Sequence, residues 1–152
     1  MFFYDNNSDK LSIFVAQFIS MNTILLSIGS NTFSKTNIDK AKRMLTRFFP
    51  GIVFSPSVLS EPEEEKYFYL FRNVLAKAET DFTAEDVISK IKMTERAVGR
   101  TPKDKYLGKV VIDIDLIVYN EEILRPEDYQ RAYVQELLST FNTTSISVDD
   151  PN

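Results

Sequence analysis

The sequence predicts an α+β fold, an antiparallel sheet with helices packed on one face and one further helix at the C-terminal end. Three observations carry that expectation. Strand-like and amphipathic helical runs follow one another in the order β-α-β-β-α-β. The most apolar of them, Val110 to Tyr119, is β-branched and aliphatic without Gly or Pro, as a strand near the middle of a sheet requires. The chain has 152 residues, 43% of them hydrophobic, which is enough for one domain with a real core and too few to expect two.

Taken in order, residues 1–20 read as an extension outside the core. Leu11 to Ser20 is apolar but too short to span a bilayer, and Lys10 alone precedes it as a basic residue, so neither a membrane span nor a secretory leader is expected. The expected location is cytoplasmic. Residues 21–140 form the expected domain. Thr23 to Ile28 is its first strand, closed by the turn formers Gly29-Ser30-Asn31. Thr36 or Asn37 is placed to cap a helix with Ile38, Ala41, Leu45 and Phe48 on one face, ended by Pro50-Gly51. Ile52 to Leu59 reads as a strand interrupted by Pro56, hence at an edge or bulged. After the acidic loop Glu61 to Lys66, Tyr67 to Glu79 reads as the third strand, with Tyr69, Phe71, Asn73 and Leu75 facing one way. Thr83 with Asp86 caps the second helix, whose stripe is Val87, Ile88, Ile91 and Val98 and whose stop is Gly99. The basic connection Arg100 to Lys109 leads into the apolar strand. Pro126 starts a last helix bearing Tyr129, Tyr133, Val134, Leu137 and Leu138, and residues 141–152 read as a flexible tail. This order is the ferredoxin-like split βαβ pattern, and we expect the first and last strands beside the third, with the helix-free face open to ligands.

Within the apolar strand, alternation puts Ile112, Ile114, Leu116 and Val118 on one face and Val111, Asp113, Asp115 and Ile117 on the other. The two carboxylates then point the same way with Cα atoms about 6.5–7 Å apart. They either grip one or two cations or lie on a face open to water. Composition narrows the chemistry, because the chain has no Cys and no His. Zinc sites of the Cys/His kind, thiol nucleophiles, disulfides and an imidazole base are thereby excluded. Any metal is bound through oxygen, and beside a phosphate substrate Mg²⁺ suits two Asp better than Ca²⁺ does. The net charge of −4 argues against a nucleic-acid partner while leaving room for a local basic cluster.

The other candidates each have a plain reading beside the functional one. Arg100, Lys103, Lys105 and Lys109 form either a polyphosphate site or a solvated basic loop. Glu95 lies on or beside the apolar stripe of its helix and either serves a site or pairs with Arg100 or a Lys. Asn is depleted in strands, so Asn73 either reads the edge of a heterocycle or bonds locally. Phe71 beside it is either a stacking face or a sheet-surface aromatic.

The ordered set Ile28-Gly29-Ser30-Asn31, Phe71-Arg72-Asn73, Glu95 to Arg100, Asp113-Ile114-Asp115-Leu116-Ile117, Arg125-Pro126 and Arg131-Ala132-Tyr133-Val134 resembles the 6-hydroxymethyl-7,8-dihydropterin pyrophosphokinase family, over roughly Thr23 to Leu138. The resemblance implies a ferredoxin-like, Mg²⁺-dependent enzyme of folate biosynthesis that transfers pyrophosphate from ATP to a reduced pterin and releases AMP. It implies that Asp113 and Asp115 bind two Mg²⁺ ions with ATP, that Phe71, Asn73 and Tyr133 bind the pterin, and that Glu95, Arg100, Lys109 and Arg125 lie on the ATP side. Asp113, Asp115 and Arg100 are the implied catalytic set. The chain departs from the family pattern at Val110, where an Arg is usual, and at Arg125, where a His is usual. A pterin- or nucleotide-binding module with weak or no turnover is the alternative. No nucleic acid or membrane partner is implied, and a monomer is the working expectation.

Overall fold

The computed structural model describes residues 21–65, 67 and 69–143, so the expectations for residues 1–20 and 144–152 lie outside it. Strands β1 (Asn22–Ser30), β2 (Val53–Phe54), β3 (Val58–Ser60), β4 (Phe71–Thr80), β5 (Asp113–Tyr119) and β6 (Glu122–Ile123) alternate with helices α1 (Ser34–Phe48), α2 (Ala84–Val98), α3 (Pro126–Tyr129) and α4 (Ala132–Thr143). All pairings are antiparallel, in the order β2-β4-β1-β5-β6, with β3 also on β4. The α+β, ferredoxin-like expectation is met. The neighbour relation is corrected: β1, not the third strand, is central, flanked by β4 and β5.

Pro56 splits the second predicted strand into β2 and β3, because it has no N–H for the ladder. Helix α1 begins earlier than its expected cap. Phe33, at φ 40°, makes the left-handed entry, and Asn37 instead lies buried inside the helix, donating to the Thr32 carbonyl at 2.6 Å. Helix α2 follows expectation at both ends, where Thr83 accepts from the Asp86 N–H and Gly99 stops the helix at φ 120°, a conformation that favours glycine, but of its expected stripe Val87, Ile91 and Val98 are buried and Ile88 faces solvent.

One face of the sheet is covered by α1 and α2 through Ile24, Leu26, Ile28, Ile38, Ala41, Leu45, Val74, Val87, Ile91, Ile112, Ile114 and Leu116. The other face is not free of helix. Leu25, Leu75 and Ile117 are buried against Val134 and Leu137 of α4, with Phe141 packed alongside, so this helix continues beyond the expected boundary at residue 141. A register shift between Leu25 and Leu26 along β5 adds a residue there. This bulge turns Val118 toward the α4 side, the reverse of the simple alternation, while Tyr119 packs on the α1/α2 side. The half of this face that α4 leaves uncovered is the floor of a cleft.

Candidate active site

The cleft floor is a row across three strands. Gly29 of β1 pairs with Asn73 of β4 on one side and Asp113 of β5 on the other, and the next row is Leu75, Ser27 and Asp115. Because alternation aims every second residue the same way, Asn73, Asp113 and Asp115 share the face on which Gly29 has no side chain. A Cβ built on Gly29 would lie 3.4 Å from Asn73 Oδ1 and 3.9 Å from Phe71 Cδ1, so the glycine keeps the middle of the floor clear. The cleft encloses about 610 Å³, lined further by Ser60, the acidic loop, Tyr67, Arg125, Arg131 and Tyr133. Tyr67 packs edge-on against Phe71, with ring centroids 5.5 Å apart.

Asp115 and Asp113 lie together at one end, and burial chiefly, with the Asp113 charge next, pushes the Asp115 carboxyl up to about 6 against the opposing pull of Arg125. Their cationic neighbours come from two directions. Arg100 donates to Asp113 at 2.8 Å and also pairs with Glu95, which is only 7% exposed and accepts from the Ile114 N–H at 3.1 Å. Glu95 therefore links the end of α2 to the start of β5, and burial raises its carboxyl pKa against the opposing effect of Arg100 and the Ile114 N–H. The Arg100 guanidinium loses solvent, which lowers its pKa, but Glu95 and Asp113 outweigh that and raise it. On the other side Arg125 lies 3.7 Å from Asp115 and pairs with Asp128. Arg131 then bridges Asp128 at 3.0 Å and Glu63 of the acidic loop at 2.9 Å, tying that loop to the α3–α4 segment.

A second cavity of about 630 Å³ adjoins the first at Tyr67 and Val110 and carries Lys92, Arg96, Arg100, Lys105 and Lys109. A third hollow of about 510 Å³ joins Glu95, Arg100, Asp113, Asp115 and Arg125 along β5. Of the residues expected from the sequence, Phe71, Asn73, Asp113, Asp115, Arg125 and Tyr133 meet in the cleft. Lys109 does not join them and lines the basic cavity, while Arg100 and Glu95 stand between.

Two residues read from the sequence only as parts of a turn or motif acquire a site role in the geometry. Asn31 clamps the end of the basic connection: its Nδ2 donates to the Gly108 carbonyl at 3.1 Å, its Oδ1 accepts from the Val110 N–H at 2.7 Å, and its own N–H donates to the Val110 carbonyl at 3.0 Å. Arg131 supplies a cation at the cleft mouth. The only local signal for either was its residue type, since the partners lie far away in sequence.

Among the described residues no group of three or more Asp, Glu, His or Cys forms a closed metal cage. The donor set is nonetheless suited to a hard cation. Two oxygen-bearing carboxylates on one strand face, one of them disfavoured as an anion, would be relieved by a divalent ion whose remaining positions are filled by phosphate oxygens and water, the usual arrangement for Mg²⁺.

The model of the 7,8-dihydro-6-hydroxymethylpterin-pyrophosphokinase (HPPK) family matches residues 25–143. The chain is 32% identical over 106 residues to the 2-amino-4-hydroxy-6-hydroxymethyldihydropteridine pyrophosphokinase of Aquifex aeolicus (strain VF5), covering 69% of this chain and 66% of that protein. It is 31% identical over 113 residues to the folic acid synthesis protein FOL1 of Dictyostelium discoideum, covering 72% of this chain and 17% of that one. The chain thus spans slightly under two thirds of the first relative and a small part of the second. With well over half of its residues matched, the chain belongs to the 7,8-dihydro-6-hydroxymethylpterin-pyrophosphokinase family.

Proposed function

We propose that this protein transfers pyrophosphate from ATP to the hydroxymethyl group of 6-hydroxymethyl-7,8-dihydropterin, a step of folate biosynthesis, and releases AMP. The observation that carries the reading is the floor row itself: an amide able to read a heterocycle edge, a glycine gap for a flat ring, and a carboxylate pair, side by side on adjacent strands. Phe71 and Tyr133 on the cleft walls offer faces to the pterin, and Asn73 bonds its polar edge. Asp113 and Asp115 would hold Mg²⁺ with ATP, two ions in all, which neutralise charge on the triphosphate.

In the reaction the hydroxymethyl oxygen bonds to the β-phosphorus, the bond from that phosphorus to the α,β-bridging oxygen breaks, AMP leaves with that oxygen, and the proton of the hydroxyl passes to solvent water. Little covalent work is asked of the protein, so positioning and charge stabilisation dominate. Arg100 and Arg125, reaching Asp113 and Asp115 from opposite sides, are placed to exchange carboxylate contacts for phosphate ones. Glu95 orients Arg100, and Lys109, from the basic cavity, supplies charge to the nucleotide where Val110 cannot. The chemistry of the donors and the absence of an imidazole are compatible, because no step requires a side-chain base.

The test is turnover of Asp113→Asn and Asp115→Asn with Mg²⁺, ATP and the reduced pterin. Loss of at least about 10³-fold in each, with an unchanged circular dichroism spectrum, is expected. Wild-type turnover in either variant would refute the assignment.

A further inference from the structure

Asp128 stands between two arginines of the cleft. Its Oδ2 accepts from Arg125 Nε and its Oδ1 from Arg131 at 3.0 Å, so each carboxylate oxygen holds one guanidinium. The turn of α3 brings the three together, because Asp128 follows Arg125 by three residues and precedes Arg131 by three. Backbone bonds pin that turn: the Tyr129 N–H donates to the Arg125 carbonyl at 2.9 Å and the Arg131 N–H to the Asp128 carbonyl at 3.2 Å. With its side chain only 14% exposed, Asp128 spends its charge on these partners rather than on water. Arg125 has a second carboxylate within reach. Its terminal NH1 lies 3.7 Å from Asp115 Oδ1, a Coulomb contact too long for a hydrogen bond. A guanidinium free to move would close that gap, and its planar fork would then cover the oxygens that a divalent cation needs.

We infer that Asp128 is a positioning residue that holds Arg125 off Asp115: by taking the Nε edge of the guanidinium, it keeps the Asp115 carboxylate open to a divalent cation and leaves the terminal amino groups of Arg125 for phosphate oxygens. The inference rests on the metal and nucleotide reading proposed above. Asp128 touches neither cation nor nucleotide in this role and acts through Arg125 alone. One carboxylate oxygen cannot serve a close guanidinium and a metal ion equally well, so the two compete for Asp115. Asp128 decides that competition by offering Arg125 a partner one turn away. Without it, Arg125 falls onto Asp115 and the cation must displace it.

The experiment titrates Mn²⁺, a paramagnetic stand-in for Mg²⁺, into the full chain with the same saturating excess of α,β-methylene ATP, whose methylene bridge prevents turnover. Protein-bound Mn²⁺ is read by its enhancement of water-proton relaxation, for wild type, Asp128→Ala, Arg125→Gln and the double variant. Asp128→Ala should raise the Mn²⁺ concentration at half-saturation by about five- to tenfold. In the Arg125→Gln background the same change should shift it by less than about twofold, because no guanidinium remains to fall onto Asp115. An Asp128 that merely added negative charge would weaken Mn²⁺ binding in both backgrounds, so equal loss in both overturns the inference. Asp128→Asn keeps the shape and one acceptor oxygen; its loss should be smaller than that of Asp128→Ala and equally dependent on Arg125, and it carries the comparison if the alanine variant does not fold. Wild-type protein that binds no Mn²⁺ with the analogue overturns the metal and nucleotide reading and this inference with it. Mn²⁺ binding that is the same in wild type and Asp128→Ala leaves that reading standing and removes Asp128 from it.

Discussion

Asp115 shows how a site residue works against the fold that holds it. Its carboxyl has an ordinary value of 3.8 in the unfolded chain and about 6 in the folded one, because burial and Asp113 disfavour its charge. A group whose folded value is the higher one stabilises the native state while protonated, and that contribution is lost as the pH rises from about 4 through about 6. With the side chain 30% exposed, the loss comes to about 1–2 kcal/mol after allowance for solvent screening. Asp115→Asn, which mimics the protonated form, should therefore melt a few degrees above wild type at pH 8 without ligand and gain nothing at pH 4. Thermal melts at both pH values check this, and lower stability of the variant at pH 8 would contradict it. Gly29 is constrained by the space a ligand needs, since its backbone needs no special φ and an added Cβ meets only ordinary contacts. Gly29→Ala should fold with wild-type stability but raise the KM for pterin several-fold, with little change in that for ATP. Steady-state kinetics separate the two effects.

At the scale of elements, α4 matters because it covers the far face of the sheet and carries one wall of the cleft. Leu137 is 1% exposed and sits in the small cluster with Leu25, Leu75, Ile117 and Val134. Leu137→Ala should cost about 2–4 kcal/mol in denaturant unfolding and, by loosening the helix that bears Tyr133, weaken pterin binding as well. Asn31→Ala removes the clamp on Gly108 and Val110, and the buried Gly108 carbonyl and half-buried Val110 N–H it leaves unbonded should cost about 1–3 kcal/mol and raise the KM for ATP more than that for pterin. The contrast between these elements explains what could be read beforehand. The stripes of α1 and α2, apart from the exposed Ile88, the Thr83 cap, the Gly99 stop and the Pro56 break are local patterns that appear in the structure. The role of α4 depends on where a helix docks, which its own periodicity does not say. The bulge that turns Val118, the early start of α1 at Phe33 and the Asn31 clamp likewise arise from partners distant in sequence. In the site, carboxylate spacing on a strand revealed the Asp pair, whereas Arg131 was only part of a motif until the fold brought the acidic loop to it.

For the molecule as a whole, the sheet gathers unlike chemistries along one row. Antiparallel pairing of β4, β1 and β5 sets an amide, a gap and a carboxylate beside one another, while α2 and the α3–α4 segment bring arginines in from either side. No described helix is long and apolar enough to cross a membrane. The most direct test of the central claim is the identity of the nucleotide product, followed by phosphorus NMR with Mg²⁺, ATP and 6-hydroxymethyl-7,8-dihydropterin. The account predicts AMP together with a pterin diphosphate in equal amounts, and neither when the pterin is omitted. ADP as the product, or AMP formed at the same rate without the pterin, would contradict it.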